Sequence, residues 1–86
     1  MEVNFKPSFI RQFKKLDPEL QKEALFKIEL FKDKGNHQVL EVHKLTGKLS
    51  GSFGFSINYK DRIIFDYISS DEVVLLAVGD HGVYKK

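Results

Sequence analysis

Residues 62–78, RIIFDYISSDEVVLLAV, decide how this chain folds. They contain two apolar runs, 62–68 and 72–78, which are separated by the polar residues 69–71 (SSD). Apolar runs of this length between turn residues are typical of buried strands. The sequence therefore predicts a β-hairpin at the centre of a sheet.

Two further strands are predicted outside this hairpin. In residues 53–57 (FGFSI), large apolar side chains alternate with small ones, as in a strand with one buried face. The turn 59–61 (YKD) connects this strand to the hairpin. Residues 2–5 (EVNF) also alternate and predict a short first strand, whereas residues 36–51 are predicted to be mostly loop.

Two helices are predicted between the first strand and this loop. The first follows Pro7, and its apolar stripe has helical spacing: Phe9, Ile10, Phe13 and Leu16. Asp17 can cap the second helix, and Pro18 suits its first position because no backbone donor is needed there. The second helix is predicted to run to about Lys34, where Gly35 would end it in a left-handed conformation. Its predicted buried face comprises Leu20, Ala24, Leu25, Ile28 and Phe31.

The predicted order is therefore β-α-α-β-β-β, an α+β fold. A helical hairpin would pack on one face of a mostly antiparallel four-stranded sheet. Residues 1–86 are expected to form a single domain, because 86 residues are too few for two hydrophobic cores. There is no cysteine, and no apolar stretch is long enough to span a bilayer. We therefore expect a cytoplasmic protein that does not act at a membrane.

Charge is distributed unevenly along the chain. The formal net charge is only +2, from 14 basic and 12 acidic residues. Between positions 43 and 62, however, there is a single acidic residue and four basic ones: Lys44, Lys48, Lys60 and Arg62. A locally basic surface of this kind suits a nucleic-acid backbone, and ordinary solvated surface charge is the alternative.

Several kinds of site are disfavoured by the sequence. The spacing of His37, His43 and His81 fits no common zinc pattern, and no cysteine can complete one. The chain has no GxSxG nucleophile turn, and residues 47–51 (GKLSG) lack the strand-to-helix context of a phosphate-binding loop. We therefore expect neither a metal nor a cofactor.

Four residues of a different type are expected to meet at one end of the sheet. If the last three strands pair in sequence, the turn before residue 62 and the end of the last strand lie together. This places Asp61 and Arg62 near His81 and Tyr84, with His43 in the preceding loop. RNA cleavage without metal needs a base, an acid and a cation beside the phosphate, which histidine and arginine can supply. A tyrosine can stack on a base. A turn histidine, a surface ion pair and a core tyrosine are the alternatives.

Three segments carry a resemblance to a known family. Residues 43–51 (HKLTGKLSG), 59–65 (YKDRIIF) and 78–84 (VGDHGVY) are similar in order and spacing to the motifs of the RelE/ParE toxin superfamily. The similarity is greatest to its RelE-like and YafQ-like mRNA interferase branches. It implies a RelE-like fold and the toxin of a type II toxin–antitoxin system. It also implies a metal-independent endoribonuclease that cuts mRNA in the ribosomal A site, with a cognate antitoxin as partner.

The resemblance also implies roles for individual residues. His81 would be the general acid, Asp61 or His43 the base or its orienting partner, and Arg62 the phosphate clamp. Tyr84 matches the family's C-terminal aromatic residue. It would contact substrate together with the basic side chains of the same region: Lys44, Lys48 and Lys60.

Two alternatives remain at this point. One is a ParE-like inhibitor of DNA gyrase, against which the G-x-H-x-x-Y segment argues. The other is a catalytically weak member that only binds a partner. Ile57 stands where the YafQ-like pattern has another histidine, and this favours the second alternative, as does the low net charge.

Overall fold

The predicted hairpin is present in the computed structural model, which describes residues 1–80. Those residues form, in order, β1 (Glu2–Phe5), α1 (Pro7–Lys14), α2 (Pro18–Phe31), β2 (His43–Lys44), β3 (Phe53–Ser56), β4 (Arg62–Ser69) and β5 (Glu72–Gly79). Short 3-10 helices lie at Lys34–Asn36 and Gly47–Leu49. The predicted α+β class is confirmed. No helix in this part of the chain is long and apolar enough to cross a bilayer.

The strands form one sheet in the order β1-β5-β4-β3-β2. β1 runs parallel to β5 and the other neighbours are antiparallel, which confirms a mostly antiparallel sheet. The sheet has five strands rather than the predicted four, because His43 and Lys44 pair with Gly54 and Phe53. A strand of two residues is too short to produce an alternating pattern, so the sequence predicts only loop there.

One hydrophobic core joins both helices to the sheet. Phe31 of α2 is fully buried, and its ring centroid lies 4.4 Å from that of Phe55 and 4.8 Å from that of Phe65. The other buried apolar members of this cluster are Phe9, Ala24, Ile28, Leu40, Ile57, Ile63, Val73, Leu75 and Val78. Helices and sheet thus hold each other in place, and the strand ends are carried on a rigid scaffold.

The junction between the two helices agrees with its prediction. The side chain of Asp17 accepts a hydrogen bond from the backbone N–H of Leu20 at 3.0 Å, which caps α2. Gln21 then reaches back and donates to the carbonyl oxygens of Phe13 at 3.0 Å and Leu16 at 3.1 Å. Gln21 thus supplies a further donor to Phe13 in the last turn of α1 and a donor to Leu16 in the junction.

Two predictions about α2 are wrong. The helix ends at Phe31 rather than near Lys34, and Gly35 lies in a 3-10 turn without a positive φ. Leu25 is 51% exposed, although it was expected on the buried face. Each helical residue is rotated by about 100° from the previous one. The buried stripe through Ala24 therefore leaves Leu25 on the neighbouring, solvent-facing side.

Candidate functional site

One corner of the sheet contains part of the predicted site. Arg62, the first residue of β4, lies opposite Gly79 of β5 and opposite Ser56 of β3. The expected convergence of the 59–62 turn with the end of the last strand is therefore present up to Gly79. His81 and Tyr84 lie outside the described residues.

Asp61 is held inside the turn at this corner. It is only 7% exposed, and it is the buried charged residue of the described chain. The Asn58 side-chain amide donates to Asp61 Oδ2 at 3.1 Å, and the Asp61 backbone N–H donates to Asn58 Oδ1 at 2.6 Å. Burial of a carboxylate is unfavourable unless it is hydrogen-bonded, and Asn58 meets part of that need.

The Arg62 guanidinium is also engaged by the turn. Its Nη1 atom donates to the carbonyl oxygen of Asn58 at 2.6 Å and to that of Asp61 at 3.1 Å. Its Nη2 atom donates to the carbonyl oxygen of Tyr59 at 3.2 Å. Three hydrogen bonds from one planar group fix both the guanidinium and the chain that it encloses. This geometry favours a structural role for Arg62 in the turn.

A cleft of about 720 Å³ separates this turn from α2. Asp61, Tyr59 and the exposed Lys60 line its turn side. Its charged lining consists of four carboxylates and two lysines: Asp17, Glu19, Glu23, Asp61, Lys22 and Lys60. Because acidic groups predominate, the cleft repels a phosphate backbone.

His43 lies beside a different cavity. This second cavity has a volume of about 350 Å³ and is lined by His43, Lys44, Leu45, Thr46 and Leu49. The His43 Nδ1 atom lies 2.7 Å from the backbone carbonyl oxygen of Glu41. A carbonyl oxygen only accepts hydrogen bonds, so Nδ1 carries a proton, and Nε2 has no hydrogen-bond partner among residues 1–80. This is the arrangement that a general base requires.

Glu41 is a site residue that the sequence does not reveal. Its φ is 60°, and no other residue besides glycine has a positive φ in the described part of the chain. Its carboxylate accepts a hydrogen bond from the Ser56 hydroxyl at 2.9 Å. Glutamate is not among the residues that favour the left-handed region, so no sequence pattern predicts this conformation.

Comparison with solved structures identifies the architecture. A conserved hypothetical protein from Helicobacter pylori has a TM-score of 0.74 and 22% identity, over 95% of this chain and 96% of that one. The RelBE2 toxin–antitoxin complex of Mycobacterium tuberculosis gives 0.69 and 21%, over 93% and 96%. The YoeB–YefM complex of Staphylococcus aureus gives 0.71 and 15%, over 94% and 97%. The chain has the RelE-like toxin fold. No family model matches its sequence, and no curated protein does.

Within this RelE-like fold, the predicted residues fall into two groups. Lys60, Asp61 and Arg62 belong to the turn, while His43 and Lys44 form β2. His43 pairs with Gly54, two residues along β3 from the Arg62 partner. From strand geometry this offset is about 7 Å along β3, and the two strand spacings add about 10 Å across it. Within residues 1–80, no hydrogen bond or ion pair joins the two groups.

The remaining histidine of the described chain supports the RelE-like core. The His37 ring stacks on Phe31 with centroids 4.6 Å apart, and its Nε2 atom lies 2.8 Å from the Phe31 carbonyl oxygen. Within residues 1–80, no three side chains of histidine, aspartate, glutamate or cysteine are grouped so that they could hold a metal ion. The exposed Lys48 lies in the 3-10 helix Gly47–Leu49, next to the cavity beside His43.

Proposed function

We propose that this protein is the toxin of a type II toxin–antitoxin pair and that it cleaves mRNA in the ribosomal A site without a metal. The coarser half of the proposal rests on the RelE-like fold. Two of the similar structures, from M. tuberculosis and S. aureus, are toxin–antitoxin complexes. A cytoplasmic location is part of the same proposal.

The observation that carries the cleavage proposal is the geometry of His43. Its Nδ1–H group is bonded to the Glu41 carbonyl, so the lone pair of Nε2 is available beside a cavity whose lining includes Lys44. A base that takes the proton of a 2′-hydroxyl group needs such a nitrogen, close to cations that attract the phosphate.

The other predicted residues take complementary roles in this proposal. His81, which follows Gly79 by two positions, is the general acid for the leaving 5′-oxygen, and Tyr84 stacks on a base. Asp61 and Arg62 stabilise the turn beside the strand from which His81 continues. Lys44 and Lys48 attract the RNA backbone, whereas Lys60 lies at the cleft whose acidic lining opposes it. His43 stands two strand spacings from Arg62, so the RNA would span the sheet end between them.

The antitoxin is the proposed protein partner, and a groove on the helical side supports it. This apolar groove has a volume of about 210 Å³ and is lined by Phe5, Phe9, Ile10, Phe13, Lys14 and Leu25. Four cations lie on or near α1, namely Lys6, Arg11, Lys14 and Lys15, and within residues 1–80 none forms an ion pair. An amphipathic helix with acidic flanks suits such a surface.

Induction in cells tests the proposal directly. Wild type, His43→Ala, His81→Ala and the control Glu29→Ala are induced, and growth is followed together with primer extension on ribosome-bound mRNA. We expect arrest and cleavage by the wild type and the control, and loss of both in the histidine variants. Toxicity with supercoiling defects but without cuts would instead identify a gyrase inhibitor.

One observation favours a second candidate, a member that binds a partner but cleaves weakly. Ile57 is fully buried in the hydrophobic core, at the position where the YafQ-like pattern has another histidine. An apolar side chain there contributes to packing and cannot transfer a proton. Failure of the wild type to arrest growth or cut mRNA, with retained antitoxin binding, would support this candidate.

A further inference from the structure

Glu41 lies two residues before β2 and is hydrogen-bonded to Ser56 of β3. Its left-handed backbone conformation is unfavourable for a residue with a Cβ, so neighbouring contacts must maintain it. Two of them come from Ser56 of β3. The Ser56 hydroxyl donates to Glu41 Oε1 at 2.9 Å, and the Ser56 backbone N–H donates to the carbonyl oxygen of the buried Leu40 at 3.0 Å.

The backbone carbonyl group of Glu41 accepts a hydrogen bond from the His43 ring. The oxygen lies 2.7 Å from His43 Nδ1, two residues along the chain. The backbone torsions of Val42 set this distance, and they lie between two anchors on β3, because Ser56 binds Glu41 and Gly54 pairs with His43. The side chain of Glu41 therefore holds β3, while its backbone holds His43.

We infer that Glu41 is a positioning residue, whose hydrogen bond to Ser56 keeps His43 in the Nδ1–H tautomer, in which Nε2 is unprotonated. The link runs from the Ser56 hydroxyl to the Glu41 carboxylate, along the backbone of residues 41–43, and to the ring. The consequence for cleavage rests on the proposed function. The tautomer itself does not, because it follows from the hydrogen bonds alone.

Three variants separate the side-chain contact from the presence of the residue. Glu41→Ala and Ser56→Ala each remove one partner of the hydrogen bond. Glu41→Gln keeps an acceptor oxygen of the same reach, because the amide oxygen of glutamine can accept from the serine hydroxyl. Glu29→Ala is the matched control, since Glu29 is exposed on α2 and pairs with Lys32 at 2.6 Å.

The decisive measurement is the long-range ¹⁵N–¹H spectrum of the histidine rings at pH 8, where an ordinary imidazole is neutral. We expect His43 to show one protonated Nδ1 and one free Nε2 in the wild type, in Glu41→Gln and in the control. In Glu41→Ala and Ser56→Ala the two nitrogen shifts should move toward each other as both tautomers become populated. Should Glu41→Ala not fold, Ser56→Ala against Glu41→Gln gives the same comparison.

Two results would overturn the inference. One is a wild-type ring protonated at Nε2, and the other is an unchanged tautomer in folded Glu41→Ala and Ser56→Ala. The cleavage assay adds an independent comparison. A general base contributes roughly 10²–10⁴-fold to a rate, so we expect kcat to fall by about tenfold in both variants with KM retained, and to recover in Glu41→Gln. A wild type without cleavage but with the expected tautomers would contradict the proposed function and support the Glu41 inference.

Discussion

Arg62 lies opposite Gly79 across the antiparallel β4–β5 ladder. This pairing sets the turn before β4 beside the end of β5, from which the chain continues to His81. Any change in the turn is therefore transmitted to the last strand by backbone hydrogen bonds. The stability of this corner and the position of the end of β5 are consequently linked.

Replacement of Arg62 by alanine is expected to destabilise the fold. The guanidinium donates to three turn carbonyls, and hydrogen bonds to charged groups contribute more than neutral ones. We expect the free energy of unfolding to fall by about 2 kcal/mol in urea denaturation. Arg62→Lys should recover less than half of this lost stability, because an ammonium group lacks the planar array of donors that a guanidinium group has. Wild-type stability in Arg62→Ala would show that the turn does not depend on these bonds.

Lys44 and Lys48 are expected to act through charge. Binding of a single-stranded RNA is measured against salt in a His81→Ala background, which prevents cleavage in the proposed mechanism. Each lysine that contacts a phosphate of a single strand contributes about 0.7 to the slope of log affinity against log salt. Lys44→Ala and Lys48→Ala should each lower it by about that amount. Lys32→Ala is the control, because Lys32 already pairs with Glu29, and an equal decrease in that variant would argue against local contacts.

Phe31 and Phe26 provide a matched pair of substitutions on the same helix. Phe31 is fully buried between Phe55, Phe65 and His37, whereas Phe26 is 61% exposed. Phe31→Ala should lower the free energy of unfolding by about 3–5 kcal/mol, because a cavity remains in the core. Phe26→Ala should change it by less than about 0.5 kcal/mol. Similar values for the two variants in chemical denaturation would contradict this packing.

The contact between Lys34 and Asp71 should give a small, acid-sensitive contribution to stability. The hydrogen bond from Lys34, at 2.6 Å, and its positive charge lower the pKa of Asp71 below its usual 3.8. A carboxyl group whose pKa is lower in the folded state stabilises the fold at any pH above its pKa in the unfolded chain. This contribution to stability is lost as the pH falls through the pKa of the folded state. The free energy of unfolding, measured by urea denaturation, should therefore be larger for the wild type than for Asp71→Asn at pH 7. This difference should vanish at strongly acidic pH. A difference that persists in acid would exclude this cause.

Much of the fold can be predicted from local patterns. The hairpin of β4 and β5 follows from two apolar runs, and the junction at Asp17 follows from capping chemistry. The exposure of Leu25 could not be predicted, because Ala24 and Leu25 are adjacent apolar residues and only one of them can lie at the centre of the buried stripe. The conformation of Gly35 could not be predicted either. The Asp33 side chain accepts a hydrogen bond from the Gly35 N–H group, and the chain forms a 3-10 turn there instead of a left-handed helix end.

The candidate site is less accessible to sequence reasoning. Its residue types indicate chemistry, and the strand order brings Asp61 and Arg62 to the corner of the sheet. The engagement of Arg62 by turn carbonyls depends on side-chain geometry that no pattern encodes. The conformation of Glu41 depends on a contact with Ser56, 15 positions away in the sequence, which no local pattern reveals.

The parallel pairing of β1 with β5 has a consequence for biosynthesis. Asn4 and Glu72 are 68 positions apart and share a hydrogen bond in the folded chain. A strand that pairs with such a distant segment remains without its ladder until that segment has left the ribosome exit tunnel. The sheet therefore closes only after nearly all of these residues have been translated. A nascent chain in which residues 72–79 are still inside the tunnel therefore lacks the β4–β5 pairing that forms this sheet end.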